Sequence, residues 1–313
     1  MALHVVVGSG PVGTTIAKEL LAEGHDVRVL TRRGTGPTGA ERIGVDAADA
    51  AALAQAARGA DVVYNAANPA YDRWVKDWPP IANSLLAVAR ENQAVLAIVS
   101  NLYGYGPVDG PMTHATPLRP SSLKGGVRRD MWEQAVSAQK AGELPGTVEV
   151  RASDYVGDCP SVLTMMVLPR MLAGKSAMVP ASLDVAHSWS DPADTGRLLV
   201  KVAQDPSAWG QAWHVPSPEA VSVRTLVAMA ALDARIEQTK LLSMPLMMLK
   251  AVGLANSMVR SLAEMNHQFR SPFVLDASDT VAKYGIGHSS LEEMVHANVA
   301  YFRRTAEAAE SNI

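Results

Sequence analysis

"LHVVVGSGPVG", Leu3–Gly13, is the stretch that decides the fold. Leu3–Val7 reads as a short buried strand, and Gly8, Gly10 and Gly13 follow in GxGxxG spacing as a helix opens near Pro11. Glycines there permit a tight turn and let the backbone approach a diphosphate, which the amides and dipole of the helix N-terminus then hold. With a strand before it and a helix after it, the turn is read as a dinucleotide cradle contacted through Gly8, Gly10, Pro11, Val12 and Gly13. A purely structural glycine turn is the alternative.

Outward from this turn, apolar runs alternate with helical patterns. "DVRVL", "DVVYNAA", "VLAIVS" and "VEVRAS" read as further strands, and "TTIAKELLAEG", "DAAALAQAARG", "PPIANSLLAVAREN" and "RRDMWEQAVSAQKAG" as the helices between them. Strands this uniformly apolar are covered by helices on both faces, so the class is α/β, a Rossmann-type doubly wound parallel sheet. After about residue 155 the rhythm loosens into Pro-rich punctuation, a methionine-rich stretch and a last helix, "SLEEMVHANVAYFRRTAEAA". The expected organisation is a dinucleotide-binding domain over 1–155 and, over 156–313, mainly a smaller substrate-binding cap interwoven with the sheet. No repeat or low-complexity linker separates them.

Composition narrows the function. The 313 residues carry a formal net charge of −3 with no basic run, which argues against a nucleic-acid partner. A single cysteine, Cys159, excludes an internal disulfide framework and fits a buried small residue in a reducing, cytoplasmic setting. The start, "MALHVVVGSG", reads as a first strand and not a signal peptide. "LLSMPLMMLKAVGLANSMV" is broken by Pro245 and Lys250, so no stable membrane insertion is expected. A buried or lid helix is its plain reading, contact with a membrane or greasy substrate the alternative. No His, Cys, Asp and Glu set has metal-ligand spacing. A homodimer is left open.

The end of "VRVLTRRG" bears on the cofactor. Thr31 stands where an NAD site commonly has a carboxylate, and Arg32 and Arg33 follow. Guanidinium groups attract a 2′-phosphate, so NADP(H) is expected ahead of NAD(H), with a solvated strand end as the other reading.

These residues together resemble the extended branch of the short-chain dehydrogenase/reductase superfamily, the NAD-dependent epimerase/dehydratase-like proteins. In that resemblance "GVDAADAAAL" places Asp46 and Ala47 beside the adenine, and "NAAN" lines the cofactor with Ala66 and Ala67. "VSNLYGYGP" is similar to the family's serine-containing stretch ending in Tyr-Gly, and "VRASDYVG" to its Arg-x-x-Asn-x-x-Gly segment after the sixth strand. The resemblance fails at one place. Active members use a serine and a tyrosine on the substrate oxygen, with a lysine four residues beyond the tyrosine lowering its pKa. Here Asn101 takes the serine's place; if Glu133 is matched to the helix's usual glutamate, Gly125 takes the tyrosine's place and Arg129 the lysine's.

Ligands of open α/β sheets bind beyond the carboxyl ends of the strands, which puts Asn101, Tyr103, Tyr105, Asp154 and Tyr155 among the candidates. Asn101 can donate to a carbonyl or oxyanion. Tyr103 is a substitute acid, and Arg129, turned inward, would favour its phenolate; a structural tyrosine is the competing reading. Trp74 and Trp78 are expected in a long loop, walling an apolar pocket. His187 and Trp189 are candidates on the substrate side, against a surface or core-satisfied histidine. Lys124 is read as solvent-exposed, with cofactor or substrate contact as the alternative. The implied activity is an NADP(H)-dependent oxidoreductase, reductase or epimerase-like, on a small, partly apolar carbonyl or alcohol. The alternatives are a catalytically silent NADP(H)-sensing protein and a redox-neutral isomerase or dehydratase.

Overall fold

All strand pairs in the central sheet run parallel. The computed structural model describes residues 2–310. The chain divides into two compact units that alternate along the sequence: 1–106, 114–152 and 193–215 form the first, and 107–113, 153–192 and 216–313 the second.

The first unit begins with β1 (Leu3–Val7), α1 (Pro11–Ala22), β2 (Asp26–Thr31), β3 (Glu41–Gly44), α2 (Ala50–Ala56) and β4 (Val62–Asn65). It continues through α3 (Trp74–Asn92), β5 (Val95–Asn101), α4 (Leu123–Lys140) and β6 (Thr147–Ala152). The second unit then takes β7 (Asp154–Tyr155), α5 (Leu168–Leu172), β8 (Ala177–Val179) and β9 (Trp189–Ser190). The chain returns to the first through α6 (Pro192–Ala203) and β10 (Ala212–His214), and ends in the second with α7 (Val223–Ala234), β11 (Leu241–Ser243), α8 (Leu246–Gly253), α9 (Ser257–Glu264), α10 (Ser278–Tyr284) and α11 (Leu291–Glu310).

The seven-stranded order is β10-β6-β5-β4-β1-β2-β3. Crossovers therefore run one way from β1 to β3 and the other way from β4 to β10. The order reverses between β1 and β4, and a crevice opens at the carboxyl ends of such a pair. Val7 registers with Asn65 across it, so Gly8 and Ala66 emerge side by side. β4 and β6 are buried at every residue, as strands covered on both faces must be. Two strands of this sheet escaped the sequence pattern. β3 is an edge strand whose only apolar side chain is Ile43, and β10 has three residues, too few for periodicity to register.

Helix ends follow local chemistry. Asp49 accepts from the Ala52 amide to cap α2, Ser122 from Gly125 to cap α4, and Ser222 from Thr225 to cap α7. Gln93, at φ 51°, turns the chain out of α3. α3 starts at Trp74, five residues ahead of Pro79, and carries Pro79 and Pro80 inside it. Both prolines, and the Val75 and Lys76 whose carbonyls they leave without a helical donor, are exposed, so water can satisfy those carbonyls.

The second unit has its own apolar core, in which Val156, Leu163 and Val167 pack with Trp189, with Leu226 and Val227 of α7, and with Met294 and Val299 of α11. Cys159 is buried, and burial pushes its thiol up to about 12, so it is inert.

Candidate functional site

The three glycines of the opening turn are glycines for two different reasons. Gly8 has φ +107°, and a Cβ there would stand 2.4 Å from the Ala66 carbonyl oxygen. At Gly13 a Cβ would stand 2.1 Å from the Gly8 carbonyl oxygen. Both are required by backbone packing inside the protein. Gly10 is not: its φ of −68° suits any residue, and a Cβ built on it meets nothing within 4 Å. Gly10 is also the N-cap of α1, which has no side-chain cap and no acidic residue in its first turn. An α-helix leaves its first amides without helical partners and carries positive potential there. The glycine the fold does not need therefore faces open space at an uncapped helix N-terminus, which is where the diphosphate of a dinucleotide fits. Pro11 is exposed beside it, whereas Val12 turns its side chain into the core.

At the end of β2 the Thr31 hydroxyl accepts from the Thr35 amide at 2.8 Å, and the Thr35 hydroxyl lies 3.1 Å from that of Ser9. Asp46 is exposed and accepts from the Ala48 amide at 3.0 Å, with Ala47 half-buried next to it. Ala66 and Ala67 are half-buried where β4 ends, and the Asn65 side chain accepts from the Ala67 amide at 3.3 Å.

Beyond β5 a second cluster forms. The Asn101 side-chain oxygen accepts from the Tyr103 amide at 3.1 Å and caps a 3-10 turn, Leu102–Tyr105, so its amide nitrogen points elsewhere as a donor. Tyr103 is buried, its phenol oxygen 3.5 Å from that of Tyr71 and its ring 5.8 Å from Trp74. α4 presents Lys124 and Arg128, one helical turn apart, on its buried face with Met131, Trp132 and Ala135. The Lys124 ammonium lies over the Tyr71 ring, 4.8 Å from its centroid. The Arg128 guanidinium lies 4.5 Å from the Trp74 ring and 4.5 Å from the Trp78 ring, and donates to the Val99 carbonyl at 3.2 Å. Indole faces and a carbonyl can hold a desolvated guanidinium; an ammonium would use them less well.

This geometry corrects three expectations. Arg129 does not turn inward: it sits about 100° round the helix from Arg128 and pairs at the surface with Asp130 at 2.7 Å and Glu133 at 3.8 Å. Lys124 is not exposed but 3% accessible. Trp74 and Trp78 belong to α3, not to a loop, and both are buried. Gly125 gains a positive explanation too, since a Cβ there would lie 2.4 Å from the Tyr103 carbonyl oxygen and 2.9 Å from Pro120. The backbone of the 3-10 turn occupies the space of the missing side chain.

Tyr105, expected at the substrate, is a core residue. Its hydroxyl accepts from Arg151 at 2.7 Å and lies 2.6 Å from His214 Nε2, while Arg151 also donates to Glu149 at 2.5 Å. Strands β6 and β10 aim these partners inward, and burial pushes the Tyr105 phenol up in spite of the Arg151 charge beside it. In the second unit Trp189 is likewise core, its indole donating to the Val221 carbonyl at 3.1 Å. His187 is buried and satisfied: Nδ1 is 3.2 Å from the Gln268 carbonyl oxygen, Nε2 is 2.9 Å from Asp154, and the ring stacks on Phe269 and Phe273. Asp154 and Tyr155 are half-buried. Tyr71, Lys124 and Arg128 were the residues sequence reading missed as a group. The signal available was the helical spacing of Lys124, Arg128, Met131, Trp132 and Ala135, which marks one face of α4. Among the described residues no group of three or more His, Cys, Asp or Glu is placed to hold a metal ion.

A glycine turn at the reversal point of a seven-stranded parallel sheet, opening on an uncapped helix, defines a dinucleotide-binding α/β protein. The chain belongs to the NAD dependent epimerase/dehydratase family, whose model matches residues 4–215. Its fold is similar to that of a dTDP-glucose 4,6-dehydratase from Streptomyces venezuelae with NAD bound, at 18% identity over 98% of each chain and a TM-score of 0.78. It is similar to the UDP-glucose 4-epimerase of Thermus thermophilus in complex with NAD, at 18% identity over 96% of this chain and 99% of that one, TM-score 0.77. The Bordetella bronchiseptica enzyme WbmH in complex with NAD+ matches at 20% identity over 97% and 99%, TM-score 0.74. No curated protein matches by sequence.

The expectation of NADP(H) is thereby overturned. The family is NAD dependent by its description, and these three structures hold NAD. Arg32 and Arg33 are exposed on the turn after β2, the solvated strand end that was the other reading of them.

Proposed function

We propose that this chain is an NAD(H)-dependent oxidoreductase, reductase or epimerase-like, that acts on a carbonyl or alcohol carbon of a small, partly apolar substrate, with Tyr103 as its proton donor and acceptor. The supporting observation is the Tyr103–Tyr71 phenol pair, beyond the carboxyl end of β5, with the buried Lys124 ammonium over the Tyr71 ring. NAD, held at Gly8, Gly10, Val12, Gly13, Ala66 and Asp46, would supply hydride exchange when bound. Lys124 lies against the ring of Tyr71, whose hydroxyl meets that of Tyr103, and would stand in for the lysine of a Tyr-Lys pair. Asn101 donates its amide to the substrate oxygen. Arg128 fixes Trp74 and Trp78 as an apolar wall and does not touch the proton.

The test is an NADH fluorescence titration followed by a turnover screen of small carbonyls, enones, alcohols and nucleotide sugars. On the substrate found, Tyr103→Phe should lower kcat by about 100-fold or more with NADH affinity unchanged. Unchanged kcat would remove Tyr103 from the chemistry. The closed space over Gly125 favours one second reading, a protein that binds NAD(H) without turnover. Tight NADH binding with no product from the whole screen would decide for it.

A further inference from the structure

The methionine-rich stretch is not buried. α8 and α9 pack on each other where Gly253 approaches the Arg260 backbone; a Cβ on Gly253 would come 3.0 Å from the Arg260 Cα. Of the eight residues of α8 only Leu249 and Gly253, one turn apart, are buried. The rest of its circumference faces outward and is the reverse of a solvated face. Met247 is 78% exposed and Leu254 85%, with Leu246, Met248, Val252 and Met258 exposed around them. A contiguous exposed apolar patch of this kind on a water-soluble fold marks an interaction surface.

Charge selects the partner. From Gln238 through Ala263 there is no Asp or Glu, although the chain has 31 of them, and there are three basic residues, Lys240, Lys250 and Arg260, all exposed. A protein partner of ordinary composition gives no reason for so long a stretch without acid. An anionic bilayer does, because apolar side chains enter the acyl boundary while lysine and arginine meet the headgroups. Unbranched methionines adapt to a disordered acyl surface at little cost. α8 is about 12 Å long, against roughly 30 Å of hydrocarbon, so it lies in the interface and does not cross it. No helix among the described residues is long and apolar enough to span.

We propose that the α8–α9 hairpin, Leu246–Glu264, is a peripheral membrane-binding element that docks reversibly on anionic lipid. The experiment is co-sedimentation of the full chain with vesicles of phosphatidylcholine alone and of phosphatidylcholine mixed with phosphatidylserine. The mixed vesicles should bind the chain and the neutral ones bind it at least about fivefold more weakly, with the difference shrinking as salt is raised. The double variant Met247→Asp, Leu254→Asp should lose binding by about tenfold or more and keep its melting temperature, since both side chains are already in solvent. Lys250→Glu with Arg260→Glu should abolish the preference for phosphatidylserine. Met165→Asp, at an equally exposed site outside the hairpin, should change nothing; a loss there equal to that of the hairpin variant would overturn the assignment. So would a wild-type chain that ignores both vesicles, or one that light scattering shows to be a dimer split by the hairpin variant without any lipid binding, which would give the patch to a second copy.

Discussion

Gly125 lies so close to Tyr103 that a Cβ on the glycine would stand 2.4 Å from the tyrosine's carbonyl oxygen. The place where a catalytic tyrosine was expected is therefore filled by backbone, and a side chain cannot be put back by substitution. Gly125→Ala should destabilise the fold by about 1–3 kcal/mol through overpacking, and Gly125→Tyr by more. Urea melts measure this. A Gly125→Tyr variant as stable as the natural chain and gaining dehydrogenase activity would refute the account.

Gly10 and Gly13 should respond to alanine in opposite ways. Gly13→Ala drives a methyl into the Gly8 carbonyl and should be severely destabilising. Gly10→Ala meets no protein atom, so its melting temperature should stay within a degree or two of the natural chain, about 0.5 kcal/mol. The methyl would nevertheless stand in the space proposed for the diphosphate, and NADH affinity should fall about tenfold or more. Retained NADH affinity in a folded Gly10→Ala protein would displace the cofactor from this turn.

Arg128 and Arg129 are neighbours in sequence with different environments. Arg128→Ala removes a guanidinium held between two indoles and leaves a gap in a buried wall, a loss of about 3 kcal/mol. Arg129→Ala gives up exposed ion pairs and should cost under about 0.5 kcal/mol. Denaturant midpoints compare the two directly, and equal losses would mean that the helix face has been assigned wrongly.

These pairs also show where sequence reading works. Gly13 is legible because the contact that demands it, with the Gly8 carbonyl, is local to one strand-turn-helix unit, and Gly8 because the turn itself needs its positive φ; the approach of Ala66 to Gly8 comes from a neighbouring strand. The NAD-binding half of the fold follows from them and from uniformly apolar strands. Arg129 was misread because a linear match to a family pattern says nothing about which way a helix faces; the side of α4 that is buried is set by Met131, Trp132 and Ala135. Trp74 was misread because Pro79 and Pro80 look like a helix start, and only their exposure on the outer face of α3 lets the helix begin earlier. Burial, one of the readings of the α8–α9 stretch, fails because apolar composition implies burial only when something is there to cover it, and the sequence does not say what that is. Arg32 and Arg33 suggested a phosphate, yet basic residues at an exposed turn arise equally from solvation.

His4 gives the fold a pH dependence whose sign is fixed by burial. It is the second residue of β1, buried, with Nδ1 at 3.1 Å from the Tyr64 hydroxyl and Nε2 finding no partner among the described residues. Desolvation, with the His25 ring 4.4 Å away adding like-charge repulsion when both are protonated, holds its pKa at about 4 against an ordinary 6.5. The unfolded chain therefore binds the extra proton first as pH falls. Stability from this residue is complete above pH 6.5, is lost as pH drops from 6.5 to 4, and changes no further below 4. Discounted for screening by water, the loss is about 2 kcal/mol. Other groups titrate in the same window, so the measurement is a difference: urea melts at neutral pH and near pH 4.5 for the natural chain and for His4→Phe, which keeps the ring and removes the proton site. The variant should lose less stability on acidification by that margin. Parallel losses in the two proteins would mean that His4 is already protonated in the fold and that Nε2 has found water.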